Sequence, residues 1–171
     1  MKRWSKLIAL VVLVFGLINV AIGGTFIGVG VDKQGFLKSA MQEEKITVEL
    51  TDEQIAAGEV VDTMGEAQKA GDLVREHRHG MAATYNELLG GKYYDPTNAD
   101  QLSYAQAMNI ENYLYLATNS WGVTYLSIGV GAALILAGIA LMAIAVVLYL
   151  WAKRTQGEKT ETKPASVKVK S

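Results

Sequence analysis

Two apolar runs, Leu7 to Val31 and Gly122 to Leu150, frame this chain, and almost all of its acidic side chains lie between them. An α-helix rises about 1.5 Å per residue and the hydrocarbon core of a bilayer is about 30 Å thick, so about 20 apolar residues cross it. Both runs are longer than that, and neither holds a charge. Asn19 and Thr25 are the polar interruptions of the first; Thr124, Tyr125, Ser127 and Tyr149 are those of the second. The expected fold class is therefore mainly α, two transmembrane helices with a small, mostly helical extracytoplasmic domain inserted between them.

Charge sets the expected orientation. The net charge of −1 conceals segments of opposite sign. Residues 1–6 carry Lys2, Arg3 and Lys6; Asp32 to Trp121 holds 15 carboxylates against 7 Lys and Arg; the last 20 residues hold 6 basic and 2 acidic side chains. Lys and Arg flanking a span favour the cytoplasmic side. The termini supply nine such residues and the middle only Lys33, Lys38 and Lys45, so both termini are expected in the cytoplasm and the acidic middle outside. Trp4, Tyr149 and Trp151 are the expected inner interface anchors, with Trp121 and Tyr125 at the outer one. The division that follows is 1–6 cytoplasmic N-terminus, 7–31 first transmembrane helix, 32–120 helical cap, 121–151 second transmembrane helix and 152–171 disordered basic cytoplasmic tail. The localisation that goes with it is the plasma (inner) membrane, as a multi-pass protein. A rival reading makes residues 1–23 a signal peptide cut after Ala21-Ile22-Gly23, but apolar character persists through Phe26, Ile27, Val29 and Val31, which favours an uncleaved span.

Small residues recur at one-turn spacing as Gly24 and Gly28 in the first run and Gly129, Ala133 and Ala137 in the second. Such rows let helices approach closely in lipid, so they are the expected contact between the spans, with a homodimer as the second use. Asn19 is placed to donate a hydrogen bond across that contact.

In the middle segment, Phe36, Leu37, Ala40 and Met41 extend the first helix to about Glu44. Lys45 to Leu50, KITVEL, alternates as a half-buried strand, with Glu59 to Val61 as its only nearby partner. TDEQ at Thr51 to Gln54 is a capping box, and Gly58 stops the short helix behind it. Met64, Ala67, Ala70, Val74, His77 and Met81 mark an amphipathic helix over 63–81. TYNE at Thr84 to Glu87 offers another capping box, ended by Gly90 and Gly91. Asp95 and Pro96 suit the start of a long helix, whose inner face is outlined by Leu102, Ala105, Met108, Asn112, Tyr115 and Leu116; Asn119, Ser120 and Gly122 are positioned to bend it.

Chemistry-bearing clusters are few. There is no cysteine, which removes disulfides, thiolate metal sites and cysteine nucleophiles. Asp72, Glu76 and His79 share one helix face at metal-ligand spacing, yet Arg75 and Arg78 compete for the same carboxylates and oppose a cation; His77 points elsewhere. No metal site, catalytic residue or cofactor is expected, with those three as weak metal candidates. Tyr and Asn crowd 85–119, and Tyr104, Glu111, Asn112 and Tyr115 are the interaction candidates, Glu111 as the carboxylate of a hidden polar network. GxSxG, HExxH and P-loop patterns are absent, and an acidic middle argues against nucleic acid.

The segments EKITVELTDEQIAAGEVVDT, AGDLVREHRHGMAATYNELLGG and DPTNADQLSYAQAMNIENYLYLAT resemble a family of small, uncharacterised bacterial two-span membrane proteins, over Glu44 to about Leu150. Some members bear a label as aromatic ring-opening dioxygenases; that chemistry needs a metal site, which two histidines on different helix faces do not supply. The resemblance implies no site residue. The expected role is non-enzymatic: the cap binds another membrane or extracytoplasmic protein, or the chain serves as accessory subunit of a membrane complex, with the lipid bilayer as its other partner. A small-molecule or metal-binding sensor cap is the alternative.

Overall fold

A computed structural model describes residues 2–161 of the backbone, with side chains from Trp4 to Arg154. Five helices follow one another: α1 (Lys2–Glu44), α2 (Asp52–Ala56), α3 (Met64–Met81), α4 (Tyr85–Leu89) and α5 (Ala99–Glu161). α1 and α5 are each long and apolar enough to cross a membrane. The chain divides into two compact units, one of residues 1–28 with 128–171 and one of residues 29–127.

The two-helix unit is built on small residues spaced by seven. Ala9, Gly16 and Gly23 are buried on α1, and Gly131, Gly138, Ala145 and Ala152 on α5. The contacts are reciprocal: a Cβ on Gly23 would come within 2.5 Å of the Gly131 carbonyl oxygen, and one on Gly131 within 2.6 Å of the Gly23 oxygen. Gly16 and Gly138 repeat the arrangement at 2.9 and 2.6 Å. Only glycine allows backbones this close, where dispersion and Cα–H···O contacts replace the hydrophobic effect as the force between apolar helices. A repeat of seven residues keeps such a seam in register between two supercoiled helices. The rows expected to pack instead face outward, since Gly24, Gly28 and Gly129 have nothing within 4 Å of an added Cβ. Asn19 and Thr25 satisfy themselves on their own helix, Asn19 Nδ2 donating to the Phe15 carbonyl at 2.9 Å and Thr25 to that of Ala21 at 3.0 Å.

The second unit packs α3 and the 45–63 segment against α1 and α5. Its core is Met41, Val61, Ala67, Ala70, Leu114, Ala117 and Trp121. Trp121 therefore fills this core and is not an exposed interface anchor; the residue is 8% exposed, whereas Trp4, Tyr125, Tyr149 and Trp151 are open.

The local signals for helix ends are realised unevenly. Thr51 Oγ1 accepts from the Gln54 backbone N–H and Gln54 Oε1 from that of Thr51, the expected capping box. Thr63 and Glu66 form a second box at the start of α3. At α4, Thr84 accepts from the Glu87 N–H, but the Glu87 carboxylate reaches one residue further back to the Ala83 N–H. Gly58 and Gly90 take positive φ, as stop residues do.

Three expectations about this unit are corrected. KITVEL forms a turn and not a strand. Lys45 and Glu49 adopt φ of 50° and 72°, a left-handed geometry that breaks the pleat; the pairing with Glu59 to Val61 reduces to one bond, Val61 N–H to the Ile46 carbonyl at 2.8 Å. The apolar members Ile46, Val48 and Leu50 still pack on the core, so the alternation reflected burial and not strand geometry. α5 starts at Ala99, because the Asn98 side chain accepts from the N–H groups of Asp100 and Gln101, while Asp95 is used in a turn closed on Thr97. Asn119, Ser120 and Gly122 interrupt nothing, and α5 continues to Glu161. The stretch 152–161 of the tail expected to be disordered is thus helical in its backbone, and the rest of that tail lies outside the described residues.

The seam makes a sharp contrast between neighbouring glycines. Gly23→Ala forces the two backbones apart and is expected to lower the stability of the protein in detergent by about 1–3 kcal/mol, as overpacking does. Gly24→Ala meets open space and should leave the thermal midpoint unchanged or raised.

Candidate functional site

The polar centre of the second unit lies where α3 crosses α5. Arg78 stands one position past His77, the residue expected on the inner face of α3, and its side chain turns inward. Arg78 Nε donates to Glu111 Oε2 at 2.6 Å and Nη2 to Oε1 at 3.3 Å, a two-pronged ion pair. Arg78 Nη1 donates to the Tyr104 hydroxyl, and the guanidinium carbon lies 4.9 Å from the Tyr104 ring centre. Tyr85, from α4, brings its ring within 6.1 Å of the Tyr104 ring. The Arg78 and Glu111 side chains are 11% and 9% exposed, and Tyr104 is fully buried.

A charged pair taken out of water is costly unless each lone pair and proton is matched. Here both carboxylate oxygens and three guanidinium nitrogens are engaged, the last prong of Arg78 meeting His79 Nε2 at 3.1 Å. Hydrogen bonding to Glu111 holds the guanidinium above its already high ordinary value, against the opposing pull of burial. The arrangement is a clamp: its groups bind one another and join α3, α4 and α5.

Two of the three weak metal candidates, Asp72 and His79, are drawn into other contacts. Asp72 accepts from the Tyr115 hydroxyl at 2.6 Å and from Gln68 at 3.1 and 3.2 Å. Those two hydrogen bonds, Tyr115 first, hold its carboxyl below the ordinary value. Glu76, His77 and His79 are exposed. Among the described residues no three His, Asp or Glu side chains gather into a group able to hold a metal ion. A second tie joins α1 to the loop before α3, through Gln42 Nε2 to Asp62 at 2.6 Å and Lys38 to the same carboxylate at 3.5 Å.

Of the interaction candidates, Tyr104 and Glu111 are interior, Tyr115 is half-buried beside Gly71, and Asn112 is exposed. The inner face of α5 is Gln101, Tyr104, Glu111, Leu114, Ala117, Thr118 and Trp121, while Leu102 and Leu116, assigned to it from periodicity, face out. Glu111 had a legible signal, a carboxylate within an apolar helix. Arg78 had none, because a basic residue in a run of charges reads as solvated. Elsewhere in this unit a polar cavity of about 420 Å³ is lined by Glu87, Asn98, Asp100 and Gln101. No family model, curated protein or solved structure matches the chain.

Removing one member of a buried pair strands the other. Glu111→Ala is expected to destabilise the unit by roughly 3–5 kcal/mol, whereas replacing both residues, Arg78→Leu with Glu111→Leu, should recover most of the loss; unfolding in detergent measures both. The Asp72 bond carries a pH signature. Because the native carboxyl is held below its ordinary value, its contribution is complete above that value and is lost as pH falls through the lowered native one. Tyr115→Phe should therefore melt earlier than wild type at neutral pH, and the two midpoints should draw together as the pH falls through the lowered native value.

Proposed function

We propose that this chain is an integral protein of the plasma (inner) membrane, crossing it twice with both termini in the cytoplasm. Residues 32–120 form an extracytoplasmic cap that binds another protein, as an accessory subunit or interaction partner of a membrane complex, and not a catalyst. The observation that carries this reading is the division of labour within the second unit. Its buried charges are consumed in the clamp, while large side chains stand open to solvent, with Tyr93 97%, Leu116 66% and Phe36 65% exposed. Open aromatic and apolar groups of this kind are the usual anchors of protein interfaces. The two apolar helices and the distribution of Lys and Arg support the topology. The resemblance to bacterial two-span membrane proteins agrees with it.

A small-molecule sensor is the second reading, favoured by the polar cavity beside Glu87 and Asp100. Its carboxylates select a cationic ligand.

Because the chain contains no cysteine, one experiment addresses both topology and partner. A membrane-impermeant, thiol-reactive photo-crosslinker is applied to intact cells carrying Tyr93→Cys or Ser166→Cys. The expected result is that Tyr93→Cys reacts and, on illumination, forms a discrete adduct of higher mass, while Ser166→Cys reacts only after permeabilisation. Labelling of Ser166→Cys from outside reverses the topology, and reaction at Tyr93→Cys without any adduct removes the interface reading.

A further inference from the structure

The two-helix unit contains an open groove of about 410 Å³ at the end where α1 begins and α5 nears its close. Its base is formed by Ala9 and Ala145, the small residues of the seven-residue seam, which are 4% and 3% exposed. These positions carry only a methyl group, and the groove opens over them. Leu10, Leu13 and Val146 wall the groove, and Lys6 and Tyr149 stand at it as the polar members. Lys6 forms no ion pair among the described residues. On the same stretch of α5, Lys153 and Arg154 line another depression with Val147 and Leu150.

We propose that the groove binds an anionic phospholipid of the cytoplasmic leaflet, one acyl chain lying over Ala9 and Ala145 and the phosphate meeting the Lys6 ammonium and the Tyr149 hydroxyl. Charge complementarity selects this occupant. The groove wall is almost wholly apolar, and Lys6, which lines it through its aliphatic stem, is the one basic residue there, a layout that matches a chain with a single anionic head. A lysine stem lies along apolar surface while its ammonium reaches the headgroup level, and the cytoplasmic leaflet presents anionic lipid there. A zwitterionic lipid offers the same chains, but its own cation offsets the attraction to Lys6. The assignment rests on the membrane reading above and goes beyond it by naming a ligand and a place.

The test is native mass spectrometry of the full chain in mild detergent, with phosphatidylglycerol and phosphatidylcholine of matched chains added in equal amount. One phosphatidylglycerol should be retained per chain, preferred by about fivefold, the contribution of one basic residue near a charged headgroup. Lys6→Gln should bring the two lipids near parity. Val146→Trp, a change at an exposed wall position, should reduce retention of both, with helical content by circular dichroism unchanged. Lys69→Gln, in the other unit, should behave as wild type. Equal retention of the two lipids by the wild type, an unaltered preference in Lys6→Gln, or undiminished retention of both lipids in Val146→Trp overturns the site. Alkaline carbonate extraction of the cell membranes separates the two failures. Release of the chain sinks the membrane reading and this one with it, whereas retention without a phosphatidylglycerol preference sinks the lipid site alone.

Discussion

The approach of two glycine pairs, Gly16 with Gly138 and Gly23 with Gly131, is the constraint on which the two-helix unit depends. Lipid tails are as apolar as leucine, so two apolar helices in a bilayer gain little by hiding large side chains from it. Close packing of backbones is what remains, and it requires positions without a Cβ. The seam continues at the same spacing into Ala9, Ala145 and Ala152, where a methyl group replaces the hydrogen.

The second unit solves a different problem. It is small and acidic, and part of its interior is polar. Its helices are joined by an apolar cluster around Met41, Val61 and Leu114 and by the clamp of Arg78, Glu111 and Tyr104. A half-matched polar network in such a place would be worse than none. This one is matched, which ties α3 and α5 in a single register.

Much of the architecture was legible in the chain. The end of α1 at Glu44, the capping box at Thr51, the stop at Gly58 and the span of α3 all follow from local rules whose partners lie within four residues. The inner face of α5 was not, because its buried positions include Gln101 and Glu111 while Leu102 and Leu116 face out; an apolar count rotates the helix the wrong way when the interior is polar. The strand at Lys45 to Leu50 failed for a related reason. Alternation records which side chains are buried, and a turn with two left-handed residues can bury the same three. The packing of the apolar helices was misread through the GxxxG pattern, although small residues spaced by seven from Ala9 to Gly30 and from Ala117 to Ala152 were visible throughout.

The sequence by itself determined the two long apolar helices, the segregation of charge and most helix ends, since these depend on composition and on neighbours along the chain. Only the tertiary structure decided which small residues touch, that Arg78 and not His77 turns inward, that Trp121 belongs to a core and that Glu111 is paired. Each of these is a contact between residues far apart in the chain, and in each several side chains of similar character competed for one place. The choice among them rests on which one the opposing helix can accommodate, and that information exists only once both surfaces are in position.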